Sequence, residues 1–325
     1  MAASFFWTLP VTGDEIAPAG RAFPRQLRDE RADRFTIHDR IFQAARAAEV
    51  AGFTGALVPW DDGGEDAWIV AASLARQVRR LVLIPELQPG FTTPVYLAKI
   101  SVSFQRLSGN RLAWGVDLER DPAVRRAHGS TLEGADWLAS AGEYLEATRG
   151  VWTAEQDASP APFDYDGRFY AVQKGGLKAP LAGWKLPPTY TSGSSDAVLA
   201  FAARHADVHL FDSAEPSAVA AAIARLAEAG RPAGRTVRPG VRLSILARET
   251  ADEALRDAQA AGWEHRPDRL IGSYDQVAQR LDVLARAGVE QFVLSGRPHV
   301  QEAYRVGEQI FPRLAAEARP VAQAA

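Results

Sequence analysis

Strand-length apolar runs alternate with helix-length amphipathic runs from one end of this chain to the other, and that alternation limits the fold more than any other feature. SFFWTLPV, TGALVPW, RRLVLIPEL, RLAWGVDL, PPTYTS, ADVHLFD, GVRLSILARE and EQFVLSG read as strands, each followed by a segment of helical period. The helices carry their own punctuation. IHDRIFQAARAAEVAGF closes at Gly52, and TPVYLAKISVSFQRL has Pro94 in its first turn and stops at SGN. Eight such units predict a closed (β/α)8 TIM barrel with insertion segments, a single α/β domain over residues 1–325. Two stretches break the rhythm. The polar segment 12–36 is longer than an ordinary connection, which suggests a functional loop. FDYDGRFYAV alternates around Asp166-Gly167 and predicts a hairpin with a tight turn, inserted outside the main sheet.

Composition removes several classes of function. With 47% hydrophobic residues the chain has ample material for one large core, and its formal net charge of −3 lacks the basic signature of a nucleic-acid binder. There is no cysteine, so neither disulfides nor thiolate metal ligands are available. The N-terminal stretch MAASFFWTLPVTGDE does not read as a signal peptide, and no apolar run is long enough to span a bilayer; a soluble cytoplasmic protein is expected. GxGxxG and GxxxxGK[ST] are absent, and no His/Asp cluster has ligand spacing, so no metal site is expected. His38 and His299 near helix starts, and His209 within a strand, read as structural.

A barrel carries its active site at the C-terminal ends of its strands. Glu86, Asp117, Glu119 and Asp212 all fall there, where paired carboxylates suit glycoside hydrolysis or simply cap backbone amides. Arg242 lies inside a strand and needs either a salt-bridge partner or an anionic ligand. Trp7, Trp60, Trp68, Trp114 and Trp137 are placed on or near the mouth, where they would suit a planar aromatic ligand. Gly193-Ser194-Ser195-Asp196 opens a helix at a strand end. It reads either as a plain N-cap or as a seat for a phosphate, because a helix start offers both orphan N–H donors and positive dipole.

FFWTLPVTGD, GFTGALVPW…EDAWIVAASLA, QRLSGNRL, PPTYTSGSSD and EQFVLSGRPHVQEAYRVGEQIFPRL together resemble the bacterial luciferase-like, flavin-dependent monooxygenases, nearest the alkanesulfonate monooxygenase branch. The resemblance runs from Phe5 to Leu314. It implies reduced FMN delivered by a separate NAD(P)H-dependent flavin reductase, dioxygen as co-substrate, and a flavin peroxide that attacks a small organic substrate. It also implies a homo-oligomer, dimer or tetramer. Gly193, Ser194 and Ser195 match the turn that holds the FMN phosphate, with Asp196 as the helix cap; Trp137, Glu86 and Gly115 fall at further cofactor-facing positions. Arg242 and Tyr304 are retained as catalytic candidates, one electrostatic, the other a proton or hydrogen-bond donor.

The departures define the expected substrate pocket. The sulfonate enzymes carry a histidine where this chain has Thr12, a cysteine at Gly64, a histidine at Ser244 and a tryptophan near Asp212; Trp60 completes the set. An asparagine that faces the flavin is replaced by Gly115. The long segment before the last strand is cut to AGWEHRPDRLIGS, where Arg266 and Arg269 stand in for a clamping arginine. A sulfonate needs cationic donors, and several are gone, so a neutral or cationic substrate is expected. Deazaflavin (F420)-dependent hydride transfer, a silent flavin-binding relative and a carboxylate-dependent hydrolase are the competing readings.

Overall fold

The computed structural model describes residues 3–13, 36–156, 162–177, 183–264 and 266–317. Most of the long loop after the first strand, and the tail after 317, lie outside them. Eight parallel strands close into a ring: β1 (Ser4–Thr8), β2 (Gly55–Val58), β3 (Val82–Leu87), β4 (Trp114–Asp117), β7 (Thr189–Ser192), β8 (Val208–Phe211), β9 (Arg238–Arg248) and β11 (Gln291–Ser295). Pairing of β8 with β9 and of β11 with β1 completes the circle. Inside it, Phe6, Leu57, Ile84, Ala113, Tyr190, Val208, Leu210 and Val293 form a packed layer that plugs the barrel below its mouth.

The helices start and stop where local chemistry tells them to. α1 (Ile37–Ala51) opens on a capping box between Thr36 and Asp39 and ends at Gly52, whose φ of 93° is the left-handed conformation glycine adopts freely. α2 (Ala67–Leu74) is capped by Asp66, and α3 (Pro94–Ser108) by Thr93 with proline in its first turn. The outer helices α5 (Gly134–Gln156), α6 (Asp196–His205), α7 (Pro216–Gly230) and α9 (Tyr274–Arg286) follow their expected strands. The closing helix is α10 (His299–Arg305), a π-helical turn Val306–Ile310 and α11 (Phe311–Glu317).

Three features depart from expectation. Short α4 (Pro122–Ala127), capped by Asp121, fills the link after β4. After α8 (Ala251–Ala260), a strand β10 (Arg269–Ser273) pairs in parallel with the far half of β9, which at 11 residues outruns its barrel neighbours. The hairpin is present as β5 (Phe163–Asp166) and β6 (Ala171–Gly175), with a tight turn closed by the Gly167 N–H donating to the Tyr170 carbonyl at 2.9 Å, so that the turn centres on Arg168-Phe169 and not on Asp166-Gly167. The reason is Glu143 on α5, whose carboxylate accepts the backbone N–H groups of Arg168, Phe169 and Tyr170 at 3.0, 2.8 and 3.3 Å. Among the described residues, no helix is long and apolar enough to cross a membrane.

Candidate active site

The C-terminal ends of the strands surround a cavity of about 530 Å³, lined by Trp60, Glu86, Asp117, Asp212, Arg242 and Ser244 among others. A second cavity of about 500 Å³ shares Thr8, Pro59, Asp61, Ser244 and Ser295 with it and extends toward Thr12, Trp263 and Arg269. Both volumes fall in the range of small-molecule sites, roughly 300–1,000 Å³.

Arg242 organises the first cavity. Its Nε and one terminal nitrogen donate to the two carboxylate oxygens of Asp212 at 2.7 and 2.8 Å, a bidentate pair. Its other terminal nitrogen stands 3.7 Å from Glu86 Oε1. Burial alone would lower the guanidinium's pKa, but the hydrogen bonds and charge of Asp212, with Glu86 and Asp117, hold it above its ordinary value. So Arg242 finds its salt-bridge partner within the mouth, in Asp212. Glu86 is 5% exposed. Its Oε2 accepts the backbone N–H of Trp60 at 2.9 Å and lies 3.5 Å from Arg120. Burial pushes this carboxyl up; Arg242 opposes that shift, and Asp117 adds to it.

Gly115 is placed beside Glu86 by the β3–β4 register, and it lines none of the cavities described here. Of the five tryptophans expected near the mouth, only Trp60 lines the central cavity. Arg120 lies over its ring at 4.6 Å, and His128 and Phe91 meet its edge at 4.9 and 5.8 Å. Trp7 and Trp114 are fully buried in the core between strands and helices, where Trp7 packs on Phe53 and Trp114 Nε1 donates to Ser101 Oγ. They sit on the strand faces opposite to the mouth layer, which is the consequence of the two-residue strand period. Trp68 packs on Phe104 of α3. Trp137 belongs to a separate cavity of about 450 Å³ with Phe91, His128 and Tyr170, under the guanidinium of Arg125 at 4.8 Å.

The Gly193–Asp196 turn is occupied from within. The backbone N–H groups of Ser194 and Ser195 donate to the Glu119 carboxylate at 3.0 and 2.8 Å. Burial would raise the Glu119 pKa, but these donors more than offset it and keep the carboxyl below its ordinary value. Ser195, not Asp196, is the N-cap of α6: its Oγ accepts from Val198 N–H at 3.4 Å. Asp196 is the first helical residue and pairs instead with Arg225. Beneath the turn, buried His209 donates from Nε2 to the Gly193 carbonyl at 2.9 Å, leaving Nδ1 to accept from the Thr191 hydroxyl at 2.8 Å. Burial pushes its pKa down to about 4, so it is neutral. The phosphate of an FMN does not fit this turn as it stands, because the donors it would need are spent on a carboxylate of like charge.

The remaining expected residues scatter. Ser244 Oγ lies 3.1 Å from Ser295 Oγ at the junction of the two mouth cavities, and Thr12 lines the second one. Gly64 lies under the Val11-Thr12 backbone, where a Cβ would come within 3.1 Å of the Val11 carbonyl. Arg266 faces the central cavity and pairs with Asp268 at 3.3 Å; Arg269 lies over Trp263 in the second cavity. Tyr304, on α10, is 37% exposed and lines none of the cavities described here. The residues missed as partners, Arg120 and Glu119, both belong to the DLERD run after β4, whose crowded charges were the available signal. Among the described residues, no group of three His, Cys, Asp or Glu side chains is arranged to hold a metal.

The luciferase-like monooxygenase family model matches residues 23–299. Among solved structures, EDTA monooxygenase from Chelativorans sp. BNC1 superposes with a TM-score of 0.80 at 18% identity, covering 98% of this chain and 94% of that one. Long-chain alkane monooxygenase gives 0.81 at 14% identity, over 98% and 92%. The coenzyme F420-dependent tetrahydromethanopterin reductase from Methanopyrus kandleri gives 0.76 at 17% identity, over 97% and 100%. At these identities the likeness is one of fold.

Proposed function

We propose that this chain, which belongs to the luciferase-like monooxygenase family, is a flavin-dependent oxidoreductase acting on a neutral or cationic small organic molecule in the barrel mouth. One observation carries the substrate class. Around the central cavity stand five carboxylates, Asp61, Glu86, Asp117, Asp212 and Asp268, against three guanidinium groups, Arg120, Arg242 and Arg266. Each of those cations is already paired with a carboxylate of the chain itself. A sulfonate entering this mouth meets excess negative charge and no free guanidinium among these three, whereas an ammonium or a neutral polar group finds acceptors. An alkanesulfonate is therefore not the substrate in this reading.

The residues of the chain have definite tasks. Asp212 and Glu86 orient Arg242, and the trio presents a fixed dipolar wall that needs no reorganisation when a substrate arrives. Trp60, braced by Arg120 and held by its backbone N–H to Glu86, adds an aromatic ring to the lining. Ser244 and Ser295 supply hydroxyls where the two cavities meet. A monooxygenase fed with reduced flavin by a separate reductase is supported by the family match and by the monooxygenases among the similar folds. The F420-dependent fold likeness supports a second reading, deazaflavin-dependent hydride transfer.

Titration of the purified protein with riboflavin, FMN and the deazaflavin, followed by oxygen uptake with a reductase and a panel of amines, neutral alkanes and alkanesulfonates, tests the reading. Flavin binding with oxygen uptake stimulated by an amine or neutral substrate is expected. Stimulation by alkanesulfonates alone overturns the substrate class, and substrate turnover with the deazaflavin alone selects the second reading.

A further inference from the structure

We propose that Glu119 makes this chain refuse a phosphate at the Gly193–Ser195 turn, so that it prefers a flavin with an uncharged ribityl end to the phosphorylated one. The cofactor half rests on the flavin reading above; the refusal of phosphate rests on the turn alone.

The turn has the attributes of an anion seat: two adjacent backbone N–H groups point outward at the start of a ten-residue helix, and the dipole favours negative charge there. Glu119 satisfies all of them. Its two carboxylate oxygens take the two N–H groups separately, and Ser194 Oγ lies a further 3.5 Å from Oε2. The fit extends to shape. Gly193 has a φ of 134°, and a Cβ on it would fall 2.9 Å from the Glu119 carboxyl carbon, so the bare glycine is what lets the carboxylate lie flat against the turn. The approach of Glu119 is fixed from its own side as well, since its backbone N–H donates to Asp117 Oδ1 at 3.2 Å.

A phosphate arriving here has to displace that carboxylate and then bind beside it. Arg225 is committed to Asp196 and the Ser194 carbonyl, and His209 is neutral beneath. The carboxylate thus does for the helix start what a phosphate would do, and leaves nothing for the phosphate to gain.

Two measurements decide this on wild type, Glu119→Gln and Glu119→Ala. The first is the thermal midpoint with inorganic phosphate at constant ionic strength, each protein compared with its own phosphate-free sample. Phosphate is expected to raise the midpoint of Glu119→Ala and to leave wild type unmoved. An equal rise in wild type overturns the proposal. The second is the affinity for FMN and riboflavin by fluorescence titration. Wild type is expected to bind riboflavin at least as tightly as FMN. Glu119→Ala should tighten FMN by about tenfold or more, equivalent to 1.4 kcal/mol, with riboflavin within about twofold. Wild type that prefers FMN by about tenfold, with the variant weakening it, again overturns the proposal. If no form binds either flavin, the flavin reading fails, while the phosphate measurement still decides the role of Glu119. Should Glu119→Ala not fold, Glu119→Gln, which keeps an acceptor and loses the charge, carries both measurements.

Discussion

Gly115 and Glu86 face each other across the β3–β4 ladder, and a Cβ built on Gly115 would lie 3.0 Å from Glu86 Cγ and 3.3 Å from Glu86 Cα. The absence of a side chain at 115 and the presence of a carboxylate at 86 are therefore one structural choice. A larger residue at 115 and a glutamate at 86 compete for the same space inside the mouth. Gly115→Asn is expected to cost about 1–3 kcal/mol, the range for overpacking a close-packed site. Adding Glu86→Ala should return a good part of that loss, with a coupling of about 0.5–3 kcal/mol in a double-mutant cycle read by urea unfolding. Strict additivity of the two changes would show that the two positions do not compete.

Arg242 links Glu86 to Asp212, so its removal should appear as a change in pH dependence as well as in stability. Burial raises the Glu86 pKa above 4.5. A carboxyl raised in the folded state binds protons that the unfolded chain has released, so its contribution to stability is fully present below pH 4.5 and is lost as pH rises through the folded pKa. Arg242 opposes that loss by favouring the ionised form. Arg242→Met keeps the length and removes the charge, and it leaves Glu86 with Arg120 and the Trp60 N–H alone. The variant loses the Asp212 hydrogen bonds throughout, and its deficit against wild type is expected to widen from near pH 4.5 toward pH 8, by about 3 kcal/mol at most, since truncating one partner of a buried pair costs about 3–5 and Arg242 is partly open to water. Chemical unfolding at several pH values measures the divergence. Parallel curves for the two proteins would mean that Glu86 does not depend on Arg242.

The barrel was legible in the sequence because strand and helix periods differ and because caps such as Thr36, Asp66 and Thr93 mark where helices begin. β10 was hidden because RLIGS is short and pairs with the far half of β9, a pairing that local periodicity does not encode. The mouth was half legible. Position along a strand told which residues reach its C-terminal end, and Glu86, Asp212 and Arg242 do meet there. Which way a side chain faces depends on register, and that is why Trp7 and Trp114 are core and not mouth. The self-occupied turn was not legible, since Glu119 and Ser195 are 76 residues apart and only the β4–β7 pairing brings their loops together.

Ser194 and Ser195 should separate cleanly. Ser195 Oγ accepts from Val198 N–H and caps α6, whereas Ser194 Oγ makes only a 3.5 Å approach to Glu119. Ser195→Ala is expected to lower stability by about 1 kcal/mol, the ordinary worth of an N-cap, and Ser194→Ala by less than about 0.5 kcal/mol. Thermal or chemical unfolding of the two single variants tests this. Equal losses would mean that the cap is shared between the hydroxyls.

Substrate charge is the feature of the mouth most open to test by changing one residue. Asp268 lines the central cavity and holds Arg266 at 3.3 Å, on a side chain that is itself largely exposed. That pair keeps Arg266 from serving an anionic substrate without being part of the Arg242 network. Asp268→Asn releases the cation and removes one of the five carboxylates around the cavity. If the acidic mouth sets preference, wild type should give no sulfite from simple alkanesulfonates in the presence of reductase, NAD(P)H and flavin. The variant should lose affinity for a cationic substrate or competitive inhibitor by about threefold to tenfold, the scale expected for one partly exposed charge worth up to about 1 kcal/mol or slightly more. The same variant should bind an anionic analogue of matched shape better by a similar factor. The comparison is best made at two salt concentrations, because a charge effect across a solvent-filled cavity weakens as the Debye length shortens from about 10 Å at 0.1 M to about 3 Å at 1 M. Salt-independent changes of equal sign for cation and anion would indicate altered cavity shape. Rapid sulfite release by wild type would instead show that Arg266 and Arg242 serve an anion despite their carboxylate partners.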